Sequence, residues 1–236
     1  MSTVLLVRHG LTSLTGPILA GHTPELFLDE RGVRQADAVA ARIAAIPLTA
    51  IVTSPLERCH QTAEVILGAQ RAAGHDPQWA VDERIVEVKY GQWTGKPIKD
   101  LVKDPLWKVV QAQPSAVQFP DGERLADMQA RSVAAIREWD AKLGPDAVWV
   151  ACSHGDVIKA ILADAYGIHL DMFQRIVADP CSVSVVRYTD TRPFVLRTND
   201  IGGELGSLAP PPRKTRRRKS GATDATIGGG AGSGNV

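Results

Sequence analysis

Cysteine is scarce in this chain, which limits the cross-linked or metal-bound structures it can form. The 236 residues include three cysteines, Cys59, Cys152 and Cys181. An odd number of cysteines without C-x-x-C spacing argues against both a disulfide framework and a zinc cluster. We therefore expect a reducing compartment, and the cytoplasm is the simplest one.

Long apolar runs are missing as well. No stretch approaches the ~18 consecutive apolar residues that a membrane span requires. The first residues lack the basic flank, apolar segment and small-residue cleavage site of a secretory leader. No internal repeat is present, which argues against solenoid architectures. The sequence thus predicts a soluble protein with no membrane partner.

Charge is nearly balanced overall but unevenly distributed. The formal net charge is +1, yet residues 201–236 hold six Lys/Arg against two Asp/Glu. The same residues are rich in Gly and Pro and offer almost nothing to bury, so we predict a disordered tail after one domain at residues 1–200. The basic block RKTRRRK at 213–219 has no interleaved aromatic residues. This favours a solubilising tail over a nucleic-acid partner.

What the sequence does contain is a regular alternation of two kinds of segment. Short runs rich in β-branched residues predict strands at Val4–Val7, Ala50–Thr53, Val148–Cys152 and Val183–Tyr188. Three of these four runs lack polar alternation, as expected of strands buried on both faces of a largely parallel sheet. Helical patterns lie at Glu30–Ile46, Glu57–Leu67, Leu125–Leu143 and Asp156–Tyr166. This order predicts an α/β fold with helices on both faces of the sheet.

Basic and imidazole side chains follow three of the predicted strands, at the point where each strand ends. Arg8 and His9 come directly after the first strand, Arg58 follows the second, and His154 follows the third. Ligands of open α/β sheets collect beyond the carboxyl ends of the strands, so we expect these side chains to meet. The glycine after each histidine would let a ligand approach the backbone closely.

Two arginines and two histidines, without carboxylates at metal-ligand spacing, suit a phosphoryl group better than a metal ion. A guanidinium matches phosphate oxygens with a planar fork of N–H donors and stays charged. With the oxygens neutralised, a neutral imidazole can attack phosphorus and form a covalent intermediate. The leaving alkoxide then requires a proton. Glu87, in the stretch IVEVKYGQWTG, is the candidate acid and Glu83 is the competing one.

Each of these residues also has a plainer interpretation. His9 could be a core histidine that ends a strand, and Arg58 could be a solvated surface charge, which is the usual place of an arginine. Trp107, Phe119 and Met128 fit either a lid over the site or the packed core of the domain. Their positions in the fold decide between these alternatives.

Five ordered blocks make the chain resemble a known family. They are RHG at 8–10, SPLERCHQTAE at 54–64, EVKYGQWTG at 87–95, PDGERL at 120–125 and SHGD at 153–156. In this order they resemble the histidine phosphatase superfamily, and more narrowly its phosphoglycerate-mutase-like branch. The resemblance covers Thr3 to Thr198, and it implies a three-layer αβα sandwich with a mostly parallel central sheet.

The resemblance also implies roles for individual residues. His9 would become the phosphohistidine and Glu87 the proton donor. The side chains that would cradle the phosphoryl group are Arg8, Arg58 and His154. The rest of the phosphate- or substrate-binding set would be Gly10, Thr15, Gly21, His22 and Gly155. This chemistry needs no metal ion or other cofactor, and the partner would be a small phosphomonoester.

The basic residues favour a phosphatase over a mutase. Mutases of this branch carry an arginine after the acid, and an arginine pair before the PxGE-like block, to hold a second phosphate. Here Val88 follows the acid. The basic residues between Gly95 and Gly122 are all lysines, namely Lys96, Lys99, Lys103 and Lys108. Without further guanidinium forks the pocket is suited to neutralise one phosphoryl group.

We therefore predict a phosphomonoesterase. A phosphoglycerate mutase or related phosphomutase is the first alternative, and a non-catalytic phosphate or nucleic-acid binder is the second. The sequence leaves open a homodimer formed through an edge strand.

Overall fold

Six strands form one central sheet in the computed structural model, which describes residues 2–203 and 227–230. The strands are Ser2–Arg8 (β1), Ala50–Thr53 (β2), Gln78–Val81 (β3), Val148–Ser153 (β4), Val183–Tyr188 (β5) and Pro193–Asp200 (β6). Their order across the sheet is β3-β2-β4-β1-β5-β6. The first four strands pair in parallel, whereas the pairs β1–β5 and β5–β6 are antiparallel. The prediction of an α/β fold with a mostly parallel sheet is confirmed.

The helices occupy the segments between the strands. They are Glu30–Ile43 (α1), Glu57–Ala72 (α2), Ile98–Leu101 (α3), Pro105–Ala112 (α4), Leu125–Leu143 (α5) and Gly155–Tyr166 (α6). α1 begins at Glu30 because the Asp29 carboxylate accepts a hydrogen bond of 2.8 Å from the Gly32 amide. Within residues 2–203 and 227–230, no helix has the length and apolar character needed to cross a membrane.

The two faces of the sheet bury separate apolar clusters. Leu6 belongs to the cluster shared with α5 and α6, whereas the adjacent Leu5 belongs to the cluster shared with α1 and α2. Because consecutive strand residues point to opposite faces, burial of both faces requires the uninterrupted apolar runs seen in the sequence. The molecule is therefore a three-layer αβα sandwich.

The two outermost strands, β3 and β6, have no counterpart among the predicted strands. Both lie at an edge of the sheet, and both consist largely of exposed or half-exposed residues. Their sequences therefore lack the continuous apolar run that marks the inner strands.

The aromatic residues that fitted either a lid or the core belong to the core. Trp107 is 4% exposed and Phe119 1% exposed, and Met128 is fully buried. Both rings pack on Trp93, at centroid distances of 6.1 Å for Trp107 and 5.4 Å for Phe119. All three side chains belong to the buried apolar cluster that includes residues of β1, β4 and α5, which supports the core interpretation over the lid.

The parallel register brings the carboxyl ends of three strands together. Arg8 pairs with Ser153 across β1 and β4, and Thr53 pairs with Cys152 across β2 and β4. His9 and His154, one residue beyond these positions, therefore start from adjacent points on the same edge of the sheet.

A close backbone contact fixes the loop after β1 against α1. A Cβ atom on Gly10 would lie 2.6 Å from the Gly32 carbonyl oxygen, and one on Gly32 would lie 2.0 Å from the Leu11 carbonyl oxygen. Neither position can carry a side chain without moving backbone. The sequence predicted that Gly10 lets a ligand approach the backbone. In the structure, Gly10 instead lets the first turn of α1 approach it.

Replacing Gly32 with alanine should destabilise the fold by about 1–3 kcal/mol, because the new methyl group overlaps the Leu11 carbonyl. The matched control is Gly68→Ala in α2, where an added Cβ would meet nothing within 4 Å. That change should stabilise the protein by about 0.5–1 kcal/mol, since alanine is the better helix former. Chemical denaturation of both variants measures the difference, and equal stabilisation would contradict the packing argument.

Candidate active site

A cavity opens at the carboxyl end of β1. The polar side chains that line it are Arg8, His9, Thr12, Thr15, Arg58, Glu87 and Tyr90. Most of them come from loops that follow strands, as expected for an open α/β sheet. Arg58 instead comes from the first turn of α2.

The His9 ring presents a lone pair to this cavity. Its Nδ1 lies 2.7 Å from the Gly10 carbonyl oxygen, and because a carbonyl only accepts, Nδ1 carries the ring proton. Nε2 is therefore unprotonated, and it accepts a hydrogen bond of 3.3 Å from Arg58 Nε. Burial, together with the positive charges of Arg58 and Arg8, holds the pKa of His9 well below its usual range. The ring is a neutral nucleophile at physiological pH.

Arg58 is buried and still has donor capacity for an anion. It is 1% exposed, which rules out the solvated surface position. Its Nη2 donates to the Gly21 carbonyl oxygen at 2.8 Å and lies 3.3 Å from His154 Nδ1. Its Nη1 is buried without a hydrogen-bond partner among the described residues. Because the Arg58 side chain lines the cavity, this unpartnered nitrogen is suited to donate a hydrogen bond to an anionic oxygen.

His154 lies beside Arg58 at the back of the site. Its Nδ1 accepts from Arg58, so Nε2 carries the proton and donates to Ser54 Oγ at 2.7 Å. The centroids of the His154 and His9 rings are 5.2 Å apart. Burial and the charge of Arg58 keep the pKa of His154 well below its usual range. The ring is neutral and holds Arg58 in place against His9.

Glu87 supplies the carboxyl group of the site. It is 4% exposed and lines the cavity, whereas the competing Glu83 is exposed and does not. Burial and then the negative charge of Asp156 raise the pKa of Glu87 to about 7, against the opposing charges of Arg58 and Arg8. A carboxyl group that titrates near neutral pH can both give and take a proton during turnover.

An arginine that the sequence did not single out holds the backbone around Glu87. Arg131, in α5, donates from Nη1 to the carbonyl oxygens of Arg84 (2.7 Å) and Val86 (2.9 Å). Its Nη2 donates to the Glu87 carbonyl oxygen at 3.1 Å and to Glu123 Oε1 at 2.7 Å. An arginine in the middle of a helix is usually solvated, so no local pattern marks this role.

The carboxylate of Asp156 lies beneath the cavity. It is 1% exposed, accepts from Tyr90 Oη at 2.7 Å, and pairs with Lys159 Nζ at 3.1 Å. It lies in the first turn of α6, where a negative charge favours the helix N-terminus. Its closeness to Glu87 contributes to the raised pKa of that carboxyl.

Two threonines form the wall on the loop after β1. Thr15, which was predicted, accepts at Oγ1 a hydrogen bond of 3.0 Å from the Thr12 amide, and the two hydroxyl oxygens lie 2.9 Å apart. Thr12 is 1% exposed and lines the cavity, although the sequence did not mark it. Both threonines line the cavity.

The other predicted binding residues lie around the cavity in different ways. Gly21 lines it and accepts from Arg58 through its carbonyl oxygen. Gly10, His22 and Gly155 do not line it in the part of the chain that the structure describes. The His22 Nε2–H donates to the Glu87 carbonyl oxygen at 2.6 Å, and Gly155 is the first residue of α6. Direct ligand contacts by these three residues stay predictions.

A short C-terminal segment, Ile227–Gly230, also lines the cavity. The predicted disordered tail, residues 201–236, contains this segment; its residues 204–226 and 231–236 lie outside the described residues. Ile227 is only 4% exposed, so at this point the tail does bury apolar surface. Composition did not reveal this, because one isoleucine between glycines carries no periodic pattern.

Together the cavity residues define a class of site. Two buried guanidinium groups, a neutral imidazole with an unprotonated Nε2 and a carboxyl group that titrates near neutrality are the parts of a phosphoryl-transfer site. Among the described residues, no three His, Cys, Asp or Glu side chains are grouped as a metal ion would require. The predicted independence from metal ions and other cofactors stays a prediction.

Comparison with known proteins identifies the family. A sequence profile described as the histidine phosphatase superfamily (branch 1) matches residues 4–201. The chain belongs to this superfamily, which is a family of phosphatase and mutase enzymes. The resemblance drawn from the five sequence blocks is confirmed.

Individual relatives include both kinds of enzyme. Phosphoserine phosphatase 1 of Hydrogenobacter thermophilus is 28% identical over 205 residues, which cover 84% of this chain and 92% of that protein. A probable phosphoglycerate mutase, GpmB, of Yersinia pestis is 28% identical over 193 residues, which cover 81% and 87%. The solved structure of Bacillus stearothermophilus YhfR superposes with a TM-score of 0.75 at 26% identity, covering 86% of this chain and 98% of that one.

The raised pKa of Glu87 should appear in the stability of the protein. The unfolded carboxyl titrates near 4.5 and the folded one near 7, so the folded state binds more protons between these values and loses stability as pH rises through them. Glu87→Gln removes this penalty, which is about 3 kcal/mol at pH 8 and vanishes below pH 4.5. Denaturant unfolding of both proteins at several pH values measures it.

The control is Glu83→Gln, which changes the same functional group at an exposed position. It should leave the pH dependence of unfolding unchanged. If Glu87→Gln also behaves like the wild type at pH 8, the Glu87 carboxyl is not destabilised by burial.

Proposed function

We propose that this protein hydrolyses small phosphomonoesters through a phosphohistidine formed on His9. The observation that carries the proposal is the state of the His9 ring. Its Nε2 lone pair faces the cavity beside Arg58, and its lowered pKa keeps it unprotonated. A buried histidine with only a structural role would not need an arginine at hydrogen-bond distance and the charge of a second one nearby.

In the first step, the phosphoryl oxygens of the ester accept hydrogen bonds from the N–H groups of Arg58 and Arg8. The Arg58 Nη1 group, which is buried and has no partner among the described residues, is available for this contact. The Nε2 lone pair forms the N–P bond as the P–O ester bond breaks. Glu87 gives its proton to the departing alkoxide oxygen, so the alcohol leaves neutral and Glu87 becomes a carboxylate.

In the second step, water replaces the alcohol. The Glu87 carboxylate takes a proton from the attacking water, whose oxygen forms a new bond to phosphorus while the N–P bond breaks. The His9 ring returns to its neutral form and inorganic phosphate leaves. A pKa of about 7 allows the same carboxyl group to act as acid and then as base.

The distribution of positive charge supports hydrolysis over mutase chemistry. Arg8 and Arg58 are the only lysine or arginine side chains that line the cavity in the described ranges. The lysines between Gly95 and Gly122, at positions 96, 99, 103 and 108, are all exposed. Val88, directly after the acid, is fully buried. A second phosphate of a mutase substrate would thus lack a guanidinium partner.

The cellular setting follows from the same features. The cysteines Cys59, Cys152 and Cys181 are all free and buried, which supports a reducing cytoplasm. We propose a small soluble phosphomonoester as the substrate, with no membrane or nucleic-acid partner. Turnover of a panel that includes phosphoserine and 3-phosphoglycerate, with and without EDTA, tests the substrate class and the independence from metal ions.

Removing the His9 imidazole should abolish turnover. We expect His9→Ala to reduce kcat by about 10³-fold or more, because the nucleophile is lost. The wild type, denatured during turnover, should carry acid-labile phosphate on His9, and the variant should carry none. His60→Ala, at a histidine that packs on Trp79 outside the cavity, is the control and should stay active. A fully active His9→Ala enzyme would refute the covalent mechanism.

The pH dependence should follow the two perturbed groups. In the free enzyme, kcat/KM should fall as pH rises above about 7, because Glu87 must be protonated to act as the acid. On the acid side, kcat/KM should fall only well below pH 6.5, because the pKa of His9 is lowered.

Glu87→Gln should lose the alkaline limb and reduce kcat/KM for alkyl phosphates by about 10²–10⁴-fold. The loss should be smaller for p-nitrophenyl phosphate, whose leaving group does not require a proton. Glu83→Gln should keep the wild-type profile. An alkaline limb that persists in Glu87→Gln would assign that limb to another group.

A further inference from the structure

The C-terminal segment Ile227–Gly230 lies in the same cavity as the proposed catalytic residues. We propose that this segment is an intramolecular occupant of the phosphate pocket, which must leave Arg8 before the phosphoryl group of a substrate can bind. The inference rests on the proposed function, since it takes the cavity to be the phosphate site.

The first anchor of the segment is apolar. Ile227 is 4% exposed and belongs to the same buried cluster as Leu19 and Tyr90. Burial of this side chain removes apolar surface from water and favours the docked segment. Ordering the backbone of a few residues opposes this contact, so the segment also depends on its polar contacts and stays displaceable.

The second anchor is the backbone of Gly228. Its N–H donates to Asp156 Oδ2 at 3.0 Å, the same oxygen that accepts from Tyr90 Oη. The φ angle of Gly228 is +72°, a left-handed conformation that glycine adopts without strain. An added Cβ would also lie 3.2 Å from Leu19 Cδ1. Glycine is therefore the residue that fits between Asp156 and Leu19.

The third anchor is Arg8 itself. Its Nη2 donates to the Gly228 carbonyl oxygen at 3.1 Å, and its Nη1 donates to the Gly230 carbonyl oxygen at 2.8 Å. The second N–H of Nη1 is used by the Ala178 carbonyl oxygen at 2.8 Å. The segment thus occupies guanidinium donors that would otherwise meet phosphate oxygens, and carbonyl oxygens repel the oxygens of an anion.

The remaining space agrees with mutually exclusive binding. With the segment in place, the cavity has a volume of about 30 Å³. A cavity needs about 10–15 Å³ to hold one water molecule, so the space suits about two waters and not a phosphoryl group with its leaving group. Phosphate and the segment compete for one pocket.

Competition of this kind raises the apparent KM without altering the chemical step. The apparent affinity falls by the fraction of molecules in the open state. If the docked form predominates about tenfold, the apparent KM and the apparent Kd for inorganic phosphate are each raised about tenfold. Loosening the segment should therefore tighten binding of both ligands.

The test uses full-length Ile227→Ser and Gly228→Pro. The first removes the apolar anchor, and the second removes the N–H donor and the positive φ. Both should lower KM for a phosphomonoester about five- to tenfold at unchanged kcat, and should lower the calorimetric Kd for inorganic phosphate by the same factor. Ile168→Ser, at an isoleucine that is 38% exposed and outside the cavity, is the matched control and should change neither value.

Two results would overturn the inference. Unchanged KM and Kd in both segment variants would show that the segment does not compete with phosphate. An increased KM or a decreased kcat would show that the segment helps to bind substrate. Denaturant unfolding that matches the wild type excludes loss of fold as the cause.

The two proposals can fail separately. Suppose that neither the wild type nor the segment variants hydrolyse any phosphomonoester, but that the variants bind phosphate more tightly than the wild type. The competition then stands and the hydrolase proposal fails. If the wild type hydrolyses phosphomonoesters and the variants show the same KM and Kd, only the competition fails.

A peptide in trans gives an independent measurement. A tethered segment acts at an effective concentration of about millimolar, so a free peptide of residues 224–236 should inhibit Ile227→Ser competitively at submillimolar to millimolar concentrations. The same peptide with serine in place of isoleucine should be at least severalfold weaker. Equal inhibition by both peptides, or none by either, would contradict specific binding of the Ile227 side chain in the cavity.

Discussion

Two guanidinium groups, those of Arg8 and Arg58, are buried side by side at 1% exposure each, and the site is organised around them. Burial of like charges is costly unless polar partners surround them. Backbone carbonyl oxygens, among them those of Ala178 and Gly21, supply part of that compensation. Burial, together with these two cations, keeps the His9 imidazole neutral. An anion with several oxygens is the ligand that best completes such a site.

Glu87 shows how the competing effects balance. The two cations favour its carboxylate form, yet burial and the nearby Asp156 outweigh them and leave its pKa at about 7. Asp156 also accepts from the Gly228 amide, so one carboxylate both raises the pKa of Glu87 and holds the C-terminal segment.

Strands and helices could be predicted from the sequence where their burial leaves a regular pattern of apolar residues. The inner strands carry unbroken apolar runs because both sheet faces are covered, and α5 spans Leu125–Leu143 as predicted. The edge strands β3 and β6 were not predicted, because their exposed residues interrupt the apolar pattern. In the same way, Arg131 resembles any solvated helical arginine until its backbone partners are seen.

The sequence by itself determined the fold class and which side chains meet at the strand ends, since apolar periodicity and the residues after each strand are local properties. His9 and Arg58 could be chosen on that basis, whereas the role of Glu87 came from the family resemblance. Only the tertiary structure decided that Glu87 rather than Glu83 is buried, and that Ile227 lines the cavity. Burial and contacts between distant segments depend on how the whole chain packs, and no short stretch of sequence encodes them.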